Sequence, residues 1–203
     1  MASWNELIER FKNLQTKNRS KVALLLNPKF EHLPLPITRH DDPFYPFSRE
    51  VVDATRDLVC AYVFDLASYM AMGAAGVVAL ERSIRYAGID TPVILHGAFS
   101  GRGYSPMADA TGFGVDAITV GLIQDVSFYL ENPPYGAFFA DYAGLETEVP
   151  VAGGIYRIRR GLIELRDPSG EILHLQVTRD DLLTVGKLDD YAEKIREAVE
   201  NYL

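Results

Sequence analysis

Short apolar runs alternate with amphipathic stretches over the first 120 residues of the chain. The apolar runs predict four buried strands, at 21–27, 61–66, 92–96 and 116–120. Apolar side chains at helical spacing predict helices in between, at 48–59 and 73–87, and a first helix at 3–15 that Ser3 and Glu6 begin with the spacing of a capping box. Strands separated by helices indicate right-handed crossovers and a parallel sheet.

The pattern changes after residue 121. A short helix is predicted at 123–130, and residues 154–177 alternate between apolar and polar side chains, with a turn at 167–170. This alternation is typical of an antiparallel meander. A terminal amphipathic helix is predicted at 187–203. We therefore expect an α/β fold in a single domain, 1–203, with a β/α core at 17–121 and a meander plus terminal helix at 122–203.

Composition and charge narrow the possible partners. The formal net charge is −8, so nucleic acid is not an expected partner. The basic run 157–160 is interleaved with apolar residues, and we interpret it as the solvated side of a strand. The one cysteine, Cys60, lies in an apolar run and is expected to be a buried hydrophobe. No apolar run reaches membrane-spanning length, which predicts a cytoplasmic protein without a membrane partner.

Candidate chemistry lies at the carboxyl ends of the predicted parallel strands, where such sheets bind ligands. Asp65 and His96 end adjacent strands, and a carboxylate that orients an imidazole is a general-base arrangement. Asn27, Ser100 and Arg102 are candidate ligands for a carboxylate or phosphate group. No cofactor fingerprint and no metal-ligand spacing is present, so we predict neither a cofactor nor a metal site.

The amino-acid sequence of residues 7–121 resembles orotidine 5′-monophosphate decarboxylase of the longer bacterial type, a TIM-barrel enzyme. The similarity is carried, in order and at matching spacing, by the segments at 24–34, 52–62, 73–84, 91–95 and 114–120. The family's catalytic residues do not carry over. The family's aspartate on the first strand aligns with Asn27, and its lysine and glutamine on the second strand align with Val63 and Asp65. Its central Asp-Ala-Lys-Arg-Gly-Asp motif aligns with residues 96–101. Ala98 therefore stands at the position of the proton-donating lysine, and His96 and Gly101 stand at the positions of the two carboxylates.

The resemblance implies a TIM-barrel-related, four-stranded parallel half-barrel, because an eight-stranded barrel of this kind usually takes about 250 residues. The exposed edges of a half-barrel would need cover, and the family forms dimers, so we expect a homodimer. Three functions stay open. The first is a non-catalytic binding or regulatory protein with a degenerate active site. The second is an enzyme of different chemistry that uses Asp65 and His96 on a phosphorylated or carboxylated ligand, and the third is a structural subunit.

Overall fold

The computed structural model describes residues 3–132 and 134–203. Strands and helices alternate through the first part of the chain, as the hydrophobic pattern predicts. The elements in this part are α1 (Trp4–Asn18), β1 (Val22–Leu26), α2 (Phe44–Thr55), β2 (Ala61–Asp65), α3 (Leu66–Met70), α4 (Gly73–Ala87), β3 (Val93–Phe99), α5 (Ser105–Ala108) and β4 (Ala117–Val120). The second part contains α6 (Asp125–Glu131), β5 (Ala137–Asp141), β6 (Gly154–Arg157), β7 (Leu162–Arg166), β8 (Ile172–Val177) and α7 (Tyr191–Glu200).

The eight strands form one closed barrel in sequence order. Strands β1 to β6 run parallel, β7 is antiparallel to both neighbours, and β8 pairs parallel with β1. The predicted open half-barrel is therefore wrong. Strand β5 was not predicted, and it provides the edge to which the meander attaches through β6. The meander is part of the barrel wall, so an open sheet edge no longer supplies a reason for a dimer.

Alternate residues of each strand face opposite sides of the wall, and the buried side chains form two clusters accordingly. One cluster joins strand residues such as Leu24, Phe64 and Leu95 to the surrounding helices. The other fills the barrel interior and includes Ala23, Val63, Ile94, Ala117, Phe138, Tyr156, Ile163 and Leu175. A wall buried on both faces explains why the parallel strands have nearly continuous apolar sequences.

Helix α1 closes the amino-terminal end of the barrel. The Ser3 hydroxyl accepts a hydrogen bond from the Glu6 amide and the Glu6 carboxylate accepts one from the Ser3 amide, which confirms the predicted capping box. Leu7, Ile8 and Phe11 belong to the interior cluster. Helix α1 therefore covers the interior at the end of the barrel opposite the predicted site.

Asp167, after β7, links α1 to the meander. Its carboxylate accepts hydrogen bonds from Lys12 Nζ at 2.5 Å, from the Ser169 amide and hydroxyl, and from the Glu171 amide. The hydrogen bond from Lys12, followed by that from Ser169, holds the pKa of this carboxyl well below its usual range. Because the folded-state pKa is depressed, the charged carboxylate stabilises the fold above the unfolded-state pKa of about 3.9, and this contribution is lost as the pH falls below that value.

We expect the urea midpoint of the unaltered chain to drop between pH 6 and pH 3. The Asp167→Asn variant should show a smaller drop, since the amide does not titrate. Chemical denaturation at both pH values measures the difference. Asp189→Asn, at an exposed position near the carboxyl terminus, is the control and should leave the drop unchanged. An equal drop in the Asp167→Asn variant and the unaltered chain would contradict this assignment.

Candidate functional site

The register of the parallel strands brings polar residues into one row at the carboxyl-terminal mouth of the barrel. Asp65 of β2 is paired with His96 of β3. Asn27 follows β1 one residue beyond the pairing of Leu26 with Phe64, and Thr119 of β4 follows the pairing of Leu95 with Ile118. Three residues predicted from the sequence, Asn27, Asp65 and His96, therefore lie at the ends of successive strands. Thr119, which the sequence did not single out, adds a fourth position.

Thr119 of β4 lies beside an irregularity in the neighbouring strand β3. The register between β3 and β4 shifts between Leu95 and Phe99, and Ala98 has a φ of 46°, in the left-handed region that is uncommon for residues other than glycine. The amides of Gly97 and Ala98 donate to Thr119 Oγ1 at 3.1 and 3.0 Å. The buried hydroxyl of Thr119 thus satisfies the two backbone donors that the bulge turns toward it.

The His96 ring is held through both nitrogens. Its Nδ1 lies 2.9 Å from Thr119 Oγ1, and its Nε2 lies 3.1 Å from the Tyr142 hydroxyl. The ring also meets Tyr156 edge-on, with 5.4 Å between centroids. Burial lowers the pKa of His96, and the nearby carboxylates of Asp65 and Asp180 oppose this effect only in part. The neutral imidazole is therefore the favoured form near pH 7.

The hydrogen bonds of Asp65 go to its own helix. Its carboxylate caps α3, accepting from the Ser68 amide at 3.1 Å and from the Ser68 hydroxyl. The influence of Asp65 on His96 is electrostatic, across neighbouring strand ends. Asp65 and His96 are thus close together and face the same mouth, but the groups that orient the imidazole are Thr119 and Tyr142.

The three candidate ligand residues do not form one cluster. The Asn27 amide donates to the Asp180 carbonyl at 3.1 Å, on the β8 side of the mouth, and its buried Oδ1 has no partner among the residues described. Ser100 and Arg102 are exposed on the loop after β3, and the Arg102 guanidinium lies 5.0 Å from the centre of the Phe128 ring of α6. Ser100 and Arg102 therefore belong to a different side of the mouth from Asn27.

None of the three positions Val63, Ala98 and Gly101, which the resemblance aligns with two lysines and a carboxylate of the family, has an ionisable side chain. Val63 is fully buried in the barrel interior. Ala98 is part of the β3 bulge. Gly101 uses its amide to bind the Asp125 carboxylate, and its carbonyl accepts from the Tyr129 hydroxyl.

A large cleft opens on the β6–β8 side of the mouth. It has a volume of about 1000 Å³ and extends from Tyr156 and Asp180 to a rim that carries Arg159, Arg160 and Arg179. Arg179 is paired with Asp181 at 3.3 Å. For Arg159 and Arg160, the described residues provide no acidic partner within ion-pair distance. The lining of the cleft therefore combines three arginines with an aromatic ring and the two carboxylates of Asp180 and Asp181.

The interpretation of the run 157–160 as the solvated side of a strand is wrong for its last three residues. Strand β6 ends at Arg157, and residues 158–160 form a 3₁₀ turn that Gly161 terminates with a φ of 56°. The glycine after two consecutive arginines was the local signal for this turn, because the left-handed conformation favours glycine. The turn directs the chain back into the antiparallel β7 and leaves Arg159 and Arg160 at the cleft.

Arg157 itself has a structural role in the long β5–β6 connection. Its guanidinium pairs with Glu164 and donates to the carbonyls of Leu145 and Thr147 at 3.1 and 2.8 Å. The Asp141 carboxylate accepts from the amides of Gly144 and Leu145. These contacts hold the connection near the mouth, where Tyr142 reaches His96.

Two further observations concern the whole described chain. Over residues 3–132 and 134–203, no group of three or more His, Cys, Asp or Glu side chains is arranged to hold a metal ion. Within the same residues, no helix combines the length and the apolar character needed to cross a bilayer. Cys60 is buried, and burial raises the pKa of its thiol to about 12, as expected for a structural cysteine.

The fold and the position of the site define an α/β protein of the TIM-barrel type with a cleft at the carboxyl-terminal mouth. Comparison with known proteins relates it, over about half its length, to orotidine 5′-phosphate decarboxylases. The relative from Herpetosiphon aurantiacus is 34% identical over 117 residues, which are 56% of this chain and 44% of that protein. The relative from Thermomicrobium roseum is 34% identical over 116 residues, 55% of this chain and 41% of that protein.

Each of these alignments covers less than half of the curated relative, and no protein-family model matches the chain. Among solved structures, a Toxoplasma gondii protein described as an orotidine-monophosphate-decarboxylase superposes with a TM-score of 0.58. It is 23% identical, and the superposition covers 68% of this chain and 50% of that one. At this level of identity the structural likeness concerns the fold alone. The chain is thus a diverged relative of these decarboxylases on a shared scaffold.

Proposed function

We propose that the protein binds a small anionic ligand at the barrel mouth and does not decarboxylate it, acting as a binding or regulatory protein. The proposal treats the site as a degenerate form of the decarboxylase site. It depends on two features: which ionisable groups the strand ends carry, and the charge of the cleft beside them.

The observation that carries the proposal is the distribution of lysine. The chain has no lysine between Lys29 and Lys187, so strands β2 to β8 carry none. The decarboxylation that the resemblance implies needs an ammonium group, held by carboxylates, to protonate the carbon from which carbon dioxide leaves. At the aligned positions stand Val63 and Ala98, whose side chains have no proton to give. Lys29 is exposed beyond the end of β1, where it lines a small pocket together with Asn27 and Asp180.

The arginines of the cleft favour an anionic ligand. Guanidinium groups match the geometry of phosphate and carboxylate oxygens and form the stronger, charge-assisted hydrogen bonds. Arg159 and Arg160 are available for such bonds, because they have no acidic partner among the residues described. The names of the relatives point to orotidine 5′-phosphate as the first compound to test. The protein is expected to recognise its anionic groups without converting it.

A second candidate is an enzyme of different chemistry that uses Asp65 and His96. The proximity of the two groups across paired strand ends favours it. The hydrogen bonds weigh against it, since both ring nitrogens of His96 are occupied by Thr119 and Tyr142.

The predicted homodimer now rests on the resemblance alone, and size-exclusion chromatography with light scattering at micromolar concentration tests it.

We expect saturable binding of orotidine 5′-phosphate without turnover above the rate in buffer. Titration calorimetry measures the binding, and the absorbance change of the pyrimidine follows decarboxylation in the same preparation. Ribose 5-phosphate and inorganic phosphate serve as smaller anions that separate recognition of the phosphate from recognition of the base. Turnover above the buffer rate would overturn the claim that the site is non-catalytic. Failure of all three anions to bind would overturn the ligand class.

A further inference from the structure

The Thr119 hydroxyl has no free hydrogen-bonding capacity. Its oxygen accepts from the Gly97 and Ala98 amides, both of which are obligatory donors, and these use its two lone pairs. One further partner remains, His96 Nδ1 at 2.9 Å, and one proton remains on the hydroxyl. The hydroxyl must therefore donate to His96 Nδ1. This assignment follows from the number of donors and acceptors at a fully buried atom.

We propose that Thr119 fixes His96 as the neutral tautomer with its proton on Nε2, so that His96 positions the Tyr142 hydroxyl and does not act as a base. With Nδ1 accepting from Thr119, Nε2 carries the proton and donates to the Tyr142 oxygen at 3.1 Å. The nitrogen that could take up a proton is thereby occupied by a buried donor. The burial of the ring, which lowers the pKa of His96, agrees with a neutral imidazole.

The consequence for ligand recognition rests on the proposed function. Since the Tyr142 oxygen accepts a hydrogen bond from His96, the proton of the Tyr142 hydroxyl is available to be donated to a ligand at the mouth. The Tyr142 side chain is half exposed, and its ring lies beside that of His96. The His96 ring in turn meets Tyr156, which lines the cleft. Tyr142 is thus a specificity-determining donor for a ligand that offers an acceptor oxygen, such as a carbonyl or phosphoryl group. Thr119 and His96 are positioning residues behind it.

Nitrogen NMR of the histidine rings tests the tautomer without any ligand. With ¹⁵N-labelled histidine, the His96 signals are identified by their loss in His96→Gln. We expect Nε2 to carry the proton and Nδ1 to carry none at pH 7. In Thr119→Val the donor to Nδ1 is removed and a mixture of tautomers should appear, whereas Thr119→Ser should restore the original signals. A proton on Nδ1 in the unaltered chain would overturn the proposal, whether or not the valine variant folds.

Binding of orotidine 5′-phosphate tests the role of Tyr142. Loss of one hydrogen bond in Tyr142→Phe should weaken binding about three- to tenfold. Tyr104→Phe removes a hydroxyl from another exposed tyrosine at the mouth and should leave binding unchanged. Equal affinities of Tyr142→Phe and the unaltered chain would overturn the recognition role. If the unaltered chain does not bind the nucleotide, the proposed function fails, and the NMR result still decides the tautomer.

Discussion

Replacing both Arg159 and Arg160 with alanine is expected to weaken binding of orotidine 5′-phosphate by about 100-fold or more. Each charge-assisted hydrogen bond contributes about 1.5–3 kcal/mol, and about 1.4 kcal/mol corresponds to a factor of ten. Two lost bonds therefore remove at least about 3 kcal/mol. Both side chains are exposed on a turn that Gly161 terminates, so the substitutions should leave the fold intact.

Titration calorimetry of the double variant measures this loss, and two comparisons make it specific. Arg85→Ala removes an exposed arginine of α4 that pairs with Glu81, away from the cleft, and should bind as the unaltered chain does. Binding by the unaltered chain should also weaken with added salt, because the arginines at the rim are exposed. Unchanged affinity in the double variant would show that the ligand does not use this rim.

The second large effect concerns the barrel interior. Replacing Phe138 with alanine should lower the free energy of unfolding by about 3–5 kcal/mol, the range for large aromatic side chains in cores. Phe138 is fully buried in β5, and its ring meets Trp4 of α1 edge-on at 6.0 Å between centroids. A Cβ on Gly154 of β6 would lie 2.6 Å from its ring, so the neighbouring strand already leaves space for this one side chain.

Urea denaturation measures the change, with Phe30→Ala as the matched control. Phe30 is half exposed in the turn after β1, and its replacement should cost about 0.5 kcal/mol or less. A cost for Phe138→Ala no larger than for Phe30→Ala would mean that β5 does not seal the interior.

The sequence alone predicted the elements whose signals are local. The capping box at Ser3 defines the start of α1, and the apolar runs near β1 to β4 locate the strands because a wall covered on both faces has no polar side to present. The row formed by Asn27, Asp65 and His96 also follows from local information. Parallel strands place their carboxyl ends at the same edge, so residues just beyond those ends become neighbours.

Only the tertiary structure decided how the barrel closes and where its cleft lies. Closure depends on pairings between distant segments, β5 with β6 and β8 with β1, and no local pattern encodes such pairings. The same is true of Arg159 and Arg179, which line one cleft because β7 leads the chain away from it and the antiparallel β8 returns the chain to it. Helix caps and hydrophobic periods act over a few residues. The closed barrel and the rim of the cleft depend on contacts between residues far apart in the chain, and these contacts exist only once the sheet has formed.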